Sequence, residues 1–153
     1  MICAVDTNVL LRSIDVGHAV QQIALDAMIR LRRRGESLSI FPQNLIEFWA
    51  VATRPVENNG LGLSIAQAEI ELISLKTLFM LLLDTPQIFP EWERIVVQHK
   101  VSGKQAHDAR LVAAMSVHNL THLLTFNTDD FKRFTAITAI NPQSILLDEA
   151  SNR

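Results

Sequence analysis

The chain opens with the stretch Ile2-Cys3-Ala4-Val5-Asp6-Thr7-Asn8, a short apolar run that ends at a carboxylate. Four apolar residues bounded by polar ones are typical of a buried strand. The polar residues that follow break this strand, and their side chains can cap the next segment. The opening of the chain therefore predicts a strand with an acid at its carboxyl end.

Helical and strand-like segments alternate along the rest of the chain. Helical spacing and capping residues predict helices at His18–Arg34, Pro42–Arg54, Ser64–Leu75, Pro90–His99 and Lys104–His118. Short apolar runs predict strands at Leu38–Phe41, Leu123–Phe126 and Thr135–Ile140, whereas Phe79–Leu83 is either a strand or the end of the preceding helix. This alternation implies an α/β fold with a mostly parallel sheet that is covered on both faces.

Length and composition indicate one folded domain. The 153 residues are 48% apolar and 20% charged, which is typical of a globular chain with a full core. We expect a single domain at residues 1–147, followed by a polar C-terminal tail at residues 148–153. The sequence contains no internal repeat and no interdomain linker.

Charge and cysteine content narrow the function classes. A net charge of −2 gives no global attraction to nucleic acid, so such binding would need a local patch. The basic stretch at residues 30–34 is one candidate, although a solvated helix end, whose cations favour the C-terminal dipole, is the better explanation. The single Cys3 excludes an intramolecular disulfide and a cysteine-based zinc site, which fits a reducing cytoplasm. The longest apolar run, Leu78–Leu83, is too short to cross a membrane, and we expect neither a membrane span nor a signal peptide.

Isolated carboxylates are the main functional signal. Asp6, Asp129 and Asp130 follow apolar runs. Glu47 lies within an apolar run, and Asp108 lies at the start of one. A carboxylate placed against a core loses hydration unless it is paired or bound to a metal. Because Asp6 and the 127–130 segment directly follow strands, both are expected at the edge of the sheet where ligands bind. Hard oxygen ligands suit Mg²⁺ or Mn²⁺, and the arrangement fits metal-assisted hydrolysis of a phosphodiester.

Each acid also has a structural explanation. Asp6 can cap the next helix, and Glu47 can pair with Arg54 or lie at an exposed helix edge. Asp108 can favour a helix dipole or pair with Lys104. Asp129 and Asp130 lie in a turn, where Asp is common for backbone reasons. The functional interpretation therefore depends on convergence of the acids at one edge.

Four motifs, in this order, resemble the PIN-domain ribonucleases, and in particular the VapC-like toxins of toxin–antitoxin pairs. They are Val5-Asp6-Thr7-Asn8-Val9-Leu10, Asn44-Leu45-Ile46-Glu47-Phe48, the segment from Ser102 to Arg110 around His107-Asp108, and Leu123-Leu124-Thr125-Phe126-Asn127-Thr128-Asp129-Asp130-Phe131. The resemblance covers nearly the whole chain.

The resemblance implies a three-layer α/β/α sandwich and cleavage of single-stranded RNA with Mg²⁺ or Mn²⁺. It also implies a homodimer and a small antitoxin as partner. The metal ligands and catalytic acids that it implies are Asp6, Glu47, Asp108 and Asp130. Supporting polar groups are Asn8, Thr125, Asn127 and Asp129, and either Asn127 or Asp129 is the alternative to Asp130 at the fourth position.

Two other functions remain open at this stage. A receiver-like phosphoacceptor also binds Mg²⁺ through acids at strand ends, but it normally has an acidic pair after the first strand and a lysine after a late one. Here Asp6 is followed by Thr7-Asn8. A catalytically inactive PIN-like interaction module is the other alternative.

Overall fold

A computed structural model describes the backbone of residues 1–150 and the side chains of residues 1–148. The predicted polar tail begins at Asp148, which lies within a helix that continues to Ala150. The rest of that tail, residues 151–153, lies outside the described residues.

The predicted parallel sheet is present. Its five strands are β1 Ile2–Val5, β2 Ser37–Ile40, β3 Met80–Leu81, β4 His122–Leu124 and β5 Thr138–Ile140. They are arranged in the order β3-β2-β1-β4-β5, and every neighbouring pair is parallel. The central strand β1 pairs Cys3 with Leu38 on one side and Ala4 with Leu123 on the other. The carboxyl ends of β1 and β4 therefore lie next to each other.

Helices connect the strands and cover the sheet. They are α1 Thr7–Ile14, α2 Gln21–Arg33, α3 Pro42–Ala52, α4 Ile65–Leu78, α5 Ile88–Gln98, α6 Gln105–Val117 and α7 Pro142–Ala150. Two short 3₁₀ helices, Val56–Asn58 and Thr128–Phe131, lie in the predicted loop and in the predicted turn. Phe79 is extended and ends α4, so the ambiguous segment after it forms a short edge strand.

The sequence did not predict α1 and α7. Helix α1 has only eight residues, which is shorter than the window in which helical periodicity becomes visible. Helix α7 begins at Pro142, where the backbone N–H of Gln143 is capped by the Asn141 carbonyl oxygen Oδ1 at 2.9 Å. Both helices depend on packing against α2 rather than on a strong pattern of their own.

Two apolar clusters lie on opposite faces of the sheet. Cys3 and Val5 face a cluster formed with α1, α2, α3 and α7, whereas Ala4 faces a cluster formed with α5 and α6. This alternation along β1 confirms that both faces are covered, and it gives the three-layer α/β/α architecture. Burial raises the pKa of Cys3 to about 11, so its thiol is a core group and not a nucleophile.

Within residues 1–150, every helix is either too short or too polar to cross a lipid bilayer.

Candidate active site

Asp6 lies at the point where β1 turns into α1, and it is held on several sides. Its Oδ1 accepts a hydrogen bond from the Thr7 backbone N–H at 2.8 Å, which makes Asp6 the N-cap of α1. Its Oδ2 accepts from the Thr125 hydroxyl at 2.8 Å and from the Asn8 amide at 3.3 Å. The helix-cap explanation is therefore correct, but one carboxylate oxygen also faces side chains from the neighbouring strand end.

Thr125 and Asn8 join the carboxyl ends of β1 and β4. Thr125 is fully buried, and its hydroxyl oxygen accepts hydrogen bonds from the Asn8 amide at 3.2 Å and from the Asn127 backbone N–H at 3.0 Å. The side-chain oxygen Oδ1 of Asn8 accepts a hydrogen bond from the Phe126 backbone N–H at 3.2 Å. The structure thus brings two of the expected supporting side chains to Asp6, whereas Asn127 contributes its backbone.

Glu47 on α3 points towards the same strand end. Its Oε2 accepts from the Thr7 hydroxyl at 2.9 Å, and its Oε1 accepts from the Gln43 amide at 2.9 Å. Arg54, the alternative cationic partner, is exposed, and no ion pair joins it to Glu47 in the described part of the chain. The Glu47 carboxylate is therefore held by two neutral donors.

Sequence reasoning missed the side chains that hold Glu47 in place. Gln43, four residues before it on the same helix face, also donates to the His107 carbonyl at 2.8 Å and accepts from Arg110 at 3.0 Å. Asn44 is fully buried and donates to the Thr7 hydroxyl at 3.2 Å. The signal that could have identified Gln43 is its (i, i+4) relation to an isolated Glu.

Asp108 lies in the first turn of α6 and is half-buried. Among residues 1–148, no hydrogen bond or ion pair reaches its carboxylate, and the alternative pairing with Lys104 is absent. In the described residues, the Asp108 carboxylate therefore has no hydrogen-bond or ion-pair partner, in contrast to the carboxylates of Asp6 and Glu47.

The pKa values indicate that the acids face one another. Burial raises the pKa of Asp6 to about 6, and the charges of Glu47 and Asp130 add to the effect, although the hydrogen bonds to Asp6 offset part of it. Burial also raises the pKa of Asp108 to about 6, with further contributions from Asp6, Asp130 and Glu47. Acids from β1, α3, α6 and the segment after β4 thus share one electrostatic environment.

The three candidates for the fourth acid lie in different surroundings. Asp130 is exposed, yet its charge raises the pKa of both partly buried aspartates. Asp129 is 82% exposed and pairs with Lys132 at 2.6 Å, away from those acids. The Asn127 side chain is exposed and has no hydrogen-bond partner in the described residues. This geometry favours Asp130, and its assignment as the fourth acid stays a prediction.

The carboxylate oxygens of the four acids are suited to a hard divalent cation. Within residues 1–148, no three His, Cys, Asp or Glu side chains are already arranged to ligate one ion directly. The donors are nevertheless hard oxygens whose mutual repulsion a divalent cation would relieve. Donors of this kind fit Mg²⁺ or a similar hard ion, which takes one or two protein carboxylates directly and keeps several of its waters. The ligand roles of the four acids stay predictions.

A family model described as the PIN domain matches residues 3–137. The chain belongs to the PIN domain family. The match covers β1 from Cys3 onwards and the whole of β2, β3 and β4, and it includes all four acids. A comparison with curated protein sequences gives no match.

Solved structures share the fold of this PIN domain at low sequence identity. VapBC2 from Rickettsia felis, bound to a promoter DNA fragment, has a TM-score of 0.68 and 16% identity and covers 92% of this chain and 98% of its own. VapBC-1 from nontypeable Haemophilus influenzae has a TM-score of 0.67 and 17% identity, with coverages of 94% and 99%. At these identities, the similarity establishes the fold.

A third similar structure carries a functional description of its own. VapC20 from Mycobacterium tuberculosis, described as a toxin that cleaves the sarcin–ricin loop, has a TM-score of 0.62 and 19% identity. It covers 84% of this chain and 92% of its own. The predicted resemblance to PIN domains and the predicted fold class are therefore confirmed.

Proposed function

We propose that this PIN domain is an endoribonuclease that uses Mg²⁺ or Mn²⁺ to cleave single-stranded regions of RNA. The observation that carries the proposal is the shared environment of the acids, in which burial and mutual repulsion raise the pKa of Asp6 and of Asp108 to about 6. PIN domains are generally nucleases that depend on divalent metals, and a structural relative is described as cleaving an RNA loop.

Asp6 and Glu47 would hold the ion. Their carboxylates are fixed by hydroxyl, amide and backbone donors, so they meet a cation without first losing side-chain freedom. When bound, the ion would polarise a phosphate oxygen and lower the pKa of a coordinated water.

Asp108 would orient the attacking water. Because its carboxylate has no partner in the described residues, it is free to accept a hydrogen bond from that water and then its proton. The water oxygen would bond to phosphorus while the P–O bond to one ribose breaks, and the leaving ribose oxygen would take up a proton from solvent. Asp130 would complete the negative field from the exposed side.

Purified variants test this assignment. We expect Asp6→Asn and Asp108→Asn to abolish Mg²⁺-dependent cleavage of a long mixed-sequence RNA while unfolding remains cooperative. Asp26→Asn is the matched control, because Asp26 lies on α2 and, in the described residues, is hydrogen-bonded only to Gln22, at 2.7 Å, so its replacement should leave cleavage unchanged. Wild-type cleavage rates in both acid variants would exclude the assignment.

The same purified protein can be used to distinguish the nuclease from the two alternative functions. Phosphotransfer labelling without cleavage would favour a receiver-like phosphoacceptor, although β5 is followed by Asn141-Pro142 and not by a lysine. Absence of Mn²⁺ binding by calorimetry would favour an inactive interaction module.

We also propose that the chain is the toxin of a toxin–antitoxin pair, acting in the cytoplasm as a homodimer and neutralised by a small antitoxin. Several structures that share its fold are VapBC or FitAB complexes, which supports an antitoxin partner. Co-expression with the neighbouring open reading frame should give a stable complex that does not cleave RNA. Size-exclusion chromatography of the chain alone tests the dimer.

A further inference from the structure

A cavity of about 400 Å³ opens beside the proposed catalytic acids, between α5 and the first turns of α6. We call it the aromatic pocket. The residues that matter for its chemistry are Asp84, Thr85, Phe89, Trp92, His107 and Arg110. Nothing in the proposed hydrolysis uses this pocket, yet its size is within the range of ordinary ligand sites.

The aromatic pocket is connected to the acidic site. His107 is the residue immediately before Asp108, and its side chain lines the pocket. Arg110 lines the pocket and donates to Gln43 at 3.0 Å, and Gln43 donates to Glu47 at 2.9 Å. A group bound in the pocket would therefore lie next to whatever the acids hold.

Two aromatic rings form one wall. The ring centroids of Phe89 and Trp92 are 5.6 Å apart, and their planes are inclined by 30°. Phe89 is 65% exposed, so part of its ring is accessible from solvent. The Trp92 indole is fixed by a hydrogen bond from its Nε1 to the Ala106 carbonyl at 2.8 Å. A fixed indole beside an exposed phenyl ring is the kind of surface on which unpaired bases stack.

Polar groups complete the aromatic pocket. Arg110 and Asp84 form a partly exposed ion pair at 3.2 Å, so a donor and an acceptor lie at the mouth. The Thr85 hydroxyl oxygen is buried and has no hydrogen-bond partner in the described residues. A nucleobase presents both a stacking face and edge donors and acceptors, whereas an aliphatic side chain would leave these polar groups unused.

We propose that the aromatic pocket binds one unpaired nucleobase of the RNA, next to the phosphate that the acids cleave. This inference rests on the proposed function, because RNA is the substrate that it assumes. Stacking on Phe89 and Trp92 supplies binding, and the Asp84–Arg110 pair reads the edge of the base. The pocket thereby accounts for a preference for single strands, since a paired base cannot enter it.

Fluorescence of Trp92 reports on stacking independently of cleavage. The chain has two tryptophans, so Trp49→Phe leaves Trp92 as the only one. In EDTA, where cleavage stops, this variant is titrated with each of the four homotetraribonucleotides and with an abasic ribose-phosphate tetramer. We expect quenching by at least one base-containing tetramer and none by the abasic one.

Matched variants test the pocket wall. In the Trp49→Phe background, Phe89→Ala should weaken binding about 10-fold, and Phe89→Tyr should restore most of it, because one stacking contact is removed and then replaced. Val97→Ala on the same helix is the control, since Val97 is 72% exposed and lies outside the pocket. Circular dichroism confirms that each variant is folded.

The outcomes separate the pocket from the proposed function. RNA cleavage by the wild type without base-dependent quenching would overturn the pocket and leave the nuclease assignment intact. Base-dependent quenching without any Mg²⁺-dependent cleavage would support base binding in the aromatic pocket and contradict the nuclease assignment. Equal quenching by the abasic tetramer, or equal weakening by Val97→Ala and Phe89→Ala, would show that the base is not held there.

Discussion

The two halves of the acidic site differ in how their carboxylates are held. Asp6 and Glu47 accept hydrogen bonds from hydroxyl, amide and backbone donors that belong to α1, α3 and the end of β4. Asp108 and Asp130 have no such donors within the described residues, and they interact with the other acids through charge alone. One half is therefore a fixed frame, and the other half is free to receive a ligand.

This difference predicts how each half of the site affects the stability of the protein and the cleavage of RNA. Burying the Asp6 carboxylate costs stability in the absence of a cation, because the charge loses hydration and its hydrogen bonds offset only part of that loss. An unpartnered carboxylate keeps its lone pairs for a water or an ion. If the proposed chemistry is correct, damage to the fixed half should change both stability and cleavage, whereas damage to the free half should change cleavage alone.

The largest effect in the fixed half is expected from Thr125→Val. This near-isosteric change removes the hydroxyl that joins Asp6, Asn8 and the Asn127 backbone, and it leaves buried polar atoms without partners. We expect the free energy of unfolding to fall by about 1–3 kcal/mol. Cleavage should fall roughly 10- to 100-fold, with weaker metal binding, as for partners that orient a metal ligand.

Thr77→Val is the control for this change. Thr77 is exposed on α4, and among residues 1–148 its hydroxyl donates only to the Ile73 carbonyl, at 3.0 Å, within its own helix. Urea unfolding and single-turnover cleavage are measured for both variants. An unchanged cleavage rate in a Thr125→Val protein of lowered stability would mean that Thr125 serves the fold and not the site.

The next effect concerns pH in the metal-free protein. The pKa of Asp6 is raised from 3.8 to about 6, so between these values the native state binds more protons than the unfolded state. Stability should therefore rise as pH falls through about 6, by at most about 3 kcal/mol for this one group. The effect is complete once the pH is below the unfolded pKa.

Asp6→Asn removes this contribution, together with the effect of the Asp6 charge on the pKa of Asp108, because Asn keeps the N-cap but does not titrate. In EDTA, the difference in unfolding free energy between wild type and variant is measured from about pH 4.5 to about pH 7.5. The wild type should lose stability relative to the variant as pH rises, and Mg²⁺ at the upper end should restore part of it. A difference that does not depend on pH would mean that Asp6 is well hydrated.

The sequence predicted the parts of this protein that depend on local pattern. The buried strands, the helix that begins at Pro42 and the isolated acids at strand and helix ends all follow from hydrophobicity and spacing. The exact limits of the first strand were correct because Asp6 ends it. The choice between a strand and a helix end at Phe79–Leu83 could not be made, because it depends on pairing with β2.

The frame around the acids was not predictable from pattern. Gln43 and Asn44 are ordinary polar residues in the sequence, and their importance arises only when α3 packs against α1 and the start of α6. Arg110 and Asp84 are 26 positions apart and form an ion pair only because the fold brings α6 beside the segment after β3. Long-range contacts of this kind carry no local signal.

The smallest expected effect comes from the exposed acid of the free half. Asp130→Asn should reduce cleavage about 10-fold at limiting Mg²⁺, because the Asp130 charge acts on the site from the solvent side. Stability should change by less than about 0.5 kcal/mol, since the residue is exposed.

Asp129→Asn is the matched control, as it removes only an exposed ion pair with Lys132, which contributes about 0–1 kcal/mol. Steady-state cleavage is compared across a Mg²⁺ titration. A larger loss of cleavage in Asp129→Asn than in Asp130→Asn would mean that Asp129 is the fourth acid. Equal small losses would mean that the site has three acids, Asp6, Glu47 and Asp108, which are all partly buried.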